Sequence, residues 1–168
     1  MLKLSFSEKT DLLKKRSECL KLLREKKVDV GLTPSASARS RFLLAIHTHG
    51  SPVMRIPPRP VVQPALAKEE TREAMAEHML DACASALDGD LKGTREELEK
   101  AGRAGADGIR AYIDSRIPPP NAPVTLTGGW IWNRAAKKGV PVKGKSGDTP
   151  LRDTGQLYRD FDYEITER

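Results

Sequence analysis

The chain has 168 residues, enough for one compact core, and carries 29 basic against 23 acidic side chains for a formal charge of +6. With 38% apolar residues and no apolar run near the roughly 18 that a membrane helix needs, membrane insertion is excluded. The charged stretch from Met1 to Lys27 likewise leaves no place for a signal-peptide apolar region. Cys19 and Cys83 each fall in a helical apolar pattern, so two reduced, packed thiols are expected in a protein that folds in a cytoplasm.

Charge and proline divide the chain. Residues 1–27 carry +5, 28–64 carry +3, 65–117 carry −4 and 118–168 carry +2, so one acidic block lies between basic ones. That alternation suits a subunit that packs against copies of itself, and equally a monomer with solvated faces. Nine of the twelve prolines form two clusters, Pro52 to Pro64 and Pro118 to Pro123. Fixed φ and missing amide donors keep those clusters out of helix interiors and central strands, which makes them extended arms or linkers.

From Ser7 as N-cap to Lys27, the spacing predicts a helix with a face of Leu12, Leu13, Cys19, Leu20, Leu22 and Leu23. Val28 to Leu32 alternates as a strand, and Arg41 to His47 reads as a short helix. After Pro64, the stripe Leu66, Met75, Met79, Leu80, Cys83, Leu87 recurs at three and four and ends near Gly89, predicting one long helix buried on that face. Thr94 and Glu97 have capping-box spacing, so the next helix is expected from Thr94 to Ile117 with Leu98, Gly102, Gly105, Ile109, Tyr112 and Ile113 inward. Two inward glycines predict that another backbone approaches closely there. Asp153 or Thr154 caps a single turn through Tyr158, and Phe161 to Thr166 alternates as a closing strand.

Few residues suggest chemistry. Gly139 to Ser146 satisfies the phosphate-cradling loop pattern, but neither a buried strand before it nor a helix after it is indicated, so it reads as a mobile basic loop without nucleotide hydrolysis. His47-Thr48-His49 would bind zinc with a cysteine only if extended, and two ordinary histidines before a turn at Gly50 are the simpler reading. Glu69, Glu70, Glu73 and Glu77 form a solvated acidic face near a helix start rather than an acid–base pair. Arg134, Lys137, Lys138, Lys143 and Lys145 follow Trp130 and Trp132 in a stretch without acid, a candidate contact for a polyanion. No catalytic, cofactor or metal residue is expected.

The fold class that emerges is α+β: a small mixed or antiparallel sheet packed by two to three long helices, with extended proline-rich arms. The expected organisation is a basic helix over 1–27 and one domain over 28–168 with a basic loop at 128–147.

Three regions go further. Val28 to Leu32, Leu44 to Pro52 and Arg55 to Leu66, followed much later by Pro150-Leu151-Arg152-Asp153-Thr154-Gly155-Gln156-Leu157 and a closing strand, resemble the tail completion and neck proteins of tailed bacteriophages. The order of strand, short helix, proline-rich arm, long helices and Asp-Thr-Gly turn is similar as well. The chain departs from that family at Thr48, His49 and Val61, and 128–147 has no counterpart in it. The resemblance implies a non-enzymatic virion protein of the neck or tail, synthesised in the host bacterial cytoplasm, that forms a homo-oligomeric ring, a hexamer, which joins or completes the head–tail connection. Its partners would be other neck, portal-adaptor or tail proteins, with genomic DNA passing nearby. The arm Ile56, Pro57, Pro58, Arg59, Pro60, Val61 and Val62 is the expected subunit interface, since preset extended segments lose little entropy on docking. Arg134, Lys137, Lys138, Lys143 and Lys145 are expected to meet an acidic partner. The acidic helix from Lys68 to Asp90 would line the channel or meet an adjoining subunit's basic face. A basic nucleic-acid-binding protein is the alternative.

Overall fold

The computed structural model describes residues 6–52, 56–133, 136–145 and 147–168; Arg55, Arg134 and Ser146, singled out above, lie outside them. The elements run α1 (Phe6–Glu25), β1 (Lys26–Leu32), α2 (Ala38–His49), α3 (Val62–Ala67), α4 (Glu69–Asp88), α5 (Leu91–Asp114), α6 (Pro123–Thr127), β2 (Gly129–Asn133), β3 (Lys138–Val142), α7 (Gln156–Asp160) and β4 (Phe161–Glu167). The chain is α+β, with two separate two-stranded antiparallel sheets, β1-β4 and β2-β3, where a single sheet was expected. Among the described residues, no helix is long and apolar enough to cross a membrane.

The chain divides into two compact units. The first comprises Met1–Val30, Lys68–Ala106 and Asp162–Arg168; the second comprises Gly31–Ala67 and Asp107–Phe161.

In the first unit α1 packs on α4. Its inner face is Leu12, Arg16, Cys19 and Leu23, at helical spacing, while Leu13 and Leu20 of the predicted face are exposed. Gly89 ends α4 in the left-handed conformation, φ 76°, and a Cβ on it would stand 3.2 Å from Lys15 Cβ, so α1 lies tight against that turn. The helix predicted as continuous from Pro64 is broken at Lys68, whose extended backbone (ψ 140°) separates α3 from α4. Asp90, not Thr94, starts α5. Its carboxylate accepts from Gly93 N–H at 3.0 Å, and the buried Thr94 hydroxyl donates to Asp90 C=O at 2.7 Å. Glu97 is thereby freed from the predicted capping box.

The inward glycines of α5 do have close neighbours, but side chains fill the space where a backbone was expected. A Cβ on Gly102 would stand 2.9 Å from Tyr163 Cβ and closer still to its ring, and one on Gly105 would stand 3.0 Å from Val30 Cγ2 and 3.1 Å from Met75 Sδ. The β1-β4 ribbon thus settles directly on α5. Lys26 pairs with Glu167, and Thr166 donates to Asp29 at 2.5 Å, along its outer edge.

The second unit is built on Ile109, Ile113, Ile117, Val61, Ala65, Leu157 and Phe161, all buried. Ser37 caps α2, accepting from Ser40 N–H at 3.0 Å. The two-residue longer C-terminal end of α2 carries His47 and His49 within the helix, ending at Gly50 with φ 73°. The stretch read as a mobile loop is instead a β-hairpin. Trp130 faces Pro141 and Trp132 faces Gly139 across β2-β3. Gly139 leaves room for Trp130, since its Cβ would meet Trp130 Cε3 at 3.3 Å; Gly144 closes the hairpin's base, where a Cβ would stand 2.8 Å from Gly128 N. Two glycines of the phosphate-loop pattern are therefore spent on packing a hairpin. Among the described residues, no helix follows that pattern before α7.

Candidate functional site

The arm residues divide within the second unit. Arg59 and Val61 are buried, Ile56 is half-buried and bridges Ser51, Val62 opens α3, and Pro57, Pro58 and Pro60 are exposed. Arg59 fixes the segment to its own chain. Its Nε donates to Pro119 C=O at 2.8 Å and its Nη2 to Pro120 C=O at 2.9 Å, so the guanidinium fork joins the two proline clusters. Backbone N–H of Arg59 also donates to His47 C=O, tying the arm to the end of α2.

The Asp153-Thr154-Gly155 turn lies in the same unit. Gly155, φ 74°, precedes α7 and no side chain caps it, although Gln156 N–H reaches Thr154 Oγ1 at 3.4 Å. Arg152 stacks 4.7 Å from the Tyr158 ring, and both reach Asp114, by Nη1 and by hydroxyl, each at 2.8 Å. That hydrogen bond to a carboxylate raises the Tyr158 pKa. One turn later Asp160 accepts from Ser37 N–H at 3.2 Å, and hydrogen bonds, the Ser40 hydroxyl first, hold its carboxyl below the ordinary range. The turn thus delivers an anion to the N-terminus of α2.

His47 has a buried Nδ1 without a hydrogen-bond partner among the described residues. Burial, then the charges of Arg59 and Lys145, push its pKa below the ordinary value. Burial likewise lowers that of Lys145, whose ammonium donates to the carbonyls of Thr149 and Arg152. Within α2, residues two apart point about 200° from each other, so His47 and His49 do not converge on a shared ligand. A pH experiment follows. The unfolded chain protonates His47 near 6.5 whereas the folded chain resists, so the unfolded state binds more protons. Stability is expected to be full above about 6.5 and to fall as the pH drops below it, well before Asp160 and Glu97 protonate. Chemical denaturation across pH 5 to 7.5 checks this; His47→Phe is expected to flatten the slope.

The basic candidates sit on the hairpin. Lys137, at the turn with φ 49°, Lys138 and Lys143 are exposed, and Lys145 is half-buried. Trp130 and Trp132 are 72% and 68% exposed on one face. Among the described residues, no ion pair engages these lysines.

In the first unit, α4 departs most from expectation. Its buried positions are Thr71, Ala82 and Ala86, whereas Leu80, Cys83 and Leu87 of the predicted core stripe are exposed. Small residues let the helices approach closely, and the large ones face out. Its six carboxylates, Glu69, Glu70, Glu73, Glu77, Asp81 and Asp88, are exposed and, among the described residues, in no ion pair. By contrast Glu96, Glu97 and Glu99 of α5 are each bridged. Ligand-type atoms of His78, Asp81 and Glu97 lie within 4.8 Å of one another. Glu97 there already accepts from Lys100 at 2.6 Å and meets His78 at 2.9 Å, bonds that hold its carboxyl low, so the cluster serves to staple α4 to α5. A shallow cleft beside Tyr163 is lined by Glu99 and Arg103, which bridge each other at 3.2 Å.

Compared with family models, with curated proteins and with solved structures, the chain finds no match in any of the three.

Proposed function

We propose that the chain is a non-enzymatic structural subunit of a bacteriophage neck or tail that assembles into a homo-oligomeric ring at the head–tail connection. The observation that carries this reading is that two of the resembling regions, the Leu44 to Leu66 stretch and the Asp153-Thr154-Gly155 turn, more than eighty residues apart, fall in one compact unit in which α2 packs on α7, while Val28 to Val30 and most of the closing strand belong to the other. The arm in the unit of α2 and α7 turns Pro57, Pro58 and Pro60 outward, a rigid, preordered rim that a neighbouring subunit or neck protein can cover at small entropic cost.

Native mass measurement of the purified chain tests the reading. A closed oligomer of defined copy number, able to join neck or portal-adaptor proteins, is expected. Replacing Pro57, Pro58 and Pro60 together with alanine is expected to weaken assembly at least tenfold, with only the modest fall in the unfolding midpoint that a freer unfolded backbone brings. A chain that stays monomeric and joins no neck component would overturn the reading. The alternative, a nucleic-acid-binding protein, rests on Trp130 and Trp132 beside exposed lysines. It requires duplex binding that falls steeply with salt, as counterion release dictates.

A further inference from the structure

The periodicity of α4 marks a buried apolar stripe, yet its Leu80, Cys83 and Leu87 are bare. Counting 100° per residue, Glu73, Glu77, Leu80, Ala84 and Leu87 share one face, with Cys83 at its margin, and Thr71, Ala82 and Ala86 lie on the opposite, buried face. Leu80 is 70% and Leu87 60% exposed. The face thus combines apolar side chains with uncompensated negative charge. The hairpin of β2 and β3 is its complement: two bare indoles with Lys137, Lys138 and Lys143, and no acidic residue from Ser115 to Gly147.

We infer that the outward face of α4 is the docking surface for the β2-β3 hairpin of a second copy of this chain. The proposal rests on the ring reading above and names the contact that would close the ring. Charge selects the occupant. Six carboxylates against Arg72 give α4 a net −5, which rejects phosphate and anionic lipid, and the hairpin supplies the exposed Lys137, Lys138 and Lys143, in no ion pair among the described residues. Dimensions agree as well. Leu80 and Leu87 are about 10 Å apart along the helix, and Trp130 and Trp132 about 7 Å apart along their strand, so both indoles fit over one Leu80-Ala84-Leu87 run. Aromatic anchors in an apolar seat, ringed by opposite charges, are the usual centre of a specific interface. Each copy offers one hairpin and one α4, unlike surfaces whose repetition gives a head-to-tail assembly that closes when the rotation permits.

Cys83 provides the test, because it is exposed on α4 while Cys19 is fully buried. The full-length chain, labelled at Cys83 with a photoactivatable thiol reagent and mixed with an isotope-labelled unmodified copy, is expected to crosslink between copies within Gly129 to Lys145. In parallel, E73K/E77K/D81K and K137E/K138E/K143E are each expected to lower self-association at least tenfold. Mixing the two is expected to restore it, since each then presents the charge the other lacks. Rings that persist in both variants, or intermolecular crosslinks confined to other segments, overturn the contact and leave the ring reading standing. A wild-type chain that remains monomeric and uncrosslinked overturns both.

Discussion

Replacing Gly102 with alanine is expected to destabilise the first unit by about 2 kcal/mol, although alanine is the better helix former by about 1 kcal/mol. The added methyl would stand 2.9 Å from Tyr163 Cβ and nearer to its ring, so the base of the side chain, and with it β4, has to move; a rotamer change cannot relieve a clash at Cβ. The Arg103 hydrogen bond to the Tyr163 hydroxyl, at 3.3 Å, would go with it. Gly105→Ala is the graded control. Its contacts begin at 3.0 Å and involve the ends of Val30 and Met75, which can yield, so the helix-propensity gain is expected to offset most of the cost. Denaturant unfolding measures both, and Tyr163→Ala is expected to cost less in the Gly102→Ala background than alone. Equal, small effects at both glycines would show that β4 does not press on α5 as described.

That pair also shows what the sequence could disclose. Inward glycines at Gly102 and Gly105 were legible because α5 alternates large and small residues on one strongly periodic face, and Leu98, Ile109 and Ile113 followed. The same logic misled on α4. Periodicity reports where large apolar residues recur, but here alanine and threonine fill a narrow interface and the leucines are left outside. A stripe of Ala82 and Ala86 with Thr71, flanked by acids, was the available signal and weighs little on any hydropathy scale. Cys83 was misplaced for the same reason. The hairpin escaped because β2 and β3 are fully or partly exposed on both faces, so neither strand shows the alternation that burial imposes. Arg59 reads from the sequence as an interface residue of the arm, and its burial in its own unit was not legible, since what holds it there is a pair of carbonyls sixty residues away.

Replacing Arg59 with methionine is expected to destabilise the second unit by about 3 kcal/mol. Methionine keeps the apolar stem, so the change isolates two hydrogen bonds from a cation, each worth about 1.5 kcal/mol or more. Burial opposes the charge of this guanidinium, lowering its pKa, and only the paired carbonyls of Pro119 and Pro120 justify its place. Arg59→Lys is expected to recover less than half, because an ammonium cannot span both carbonyls as the planar fork does. Without the fork, the backbone bond to His47 and the burial of Val61 have to hold the arm alone. Amide hydrogen exchange is therefore expected to accelerate through α3 and the end of α2, while α1 and α4 keep their protection. The exposed-proline triple variant provides the contrast, with a smaller change in exchange than Arg59→Met but weakened assembly. If Arg59→Met instead unfolds within about 0.5 kcal/mol of the native chain, the arm is held by something other than the two proline carbonyls, and the rigid rim assigned to Pro57, Pro58 and Pro60 loses its foundation.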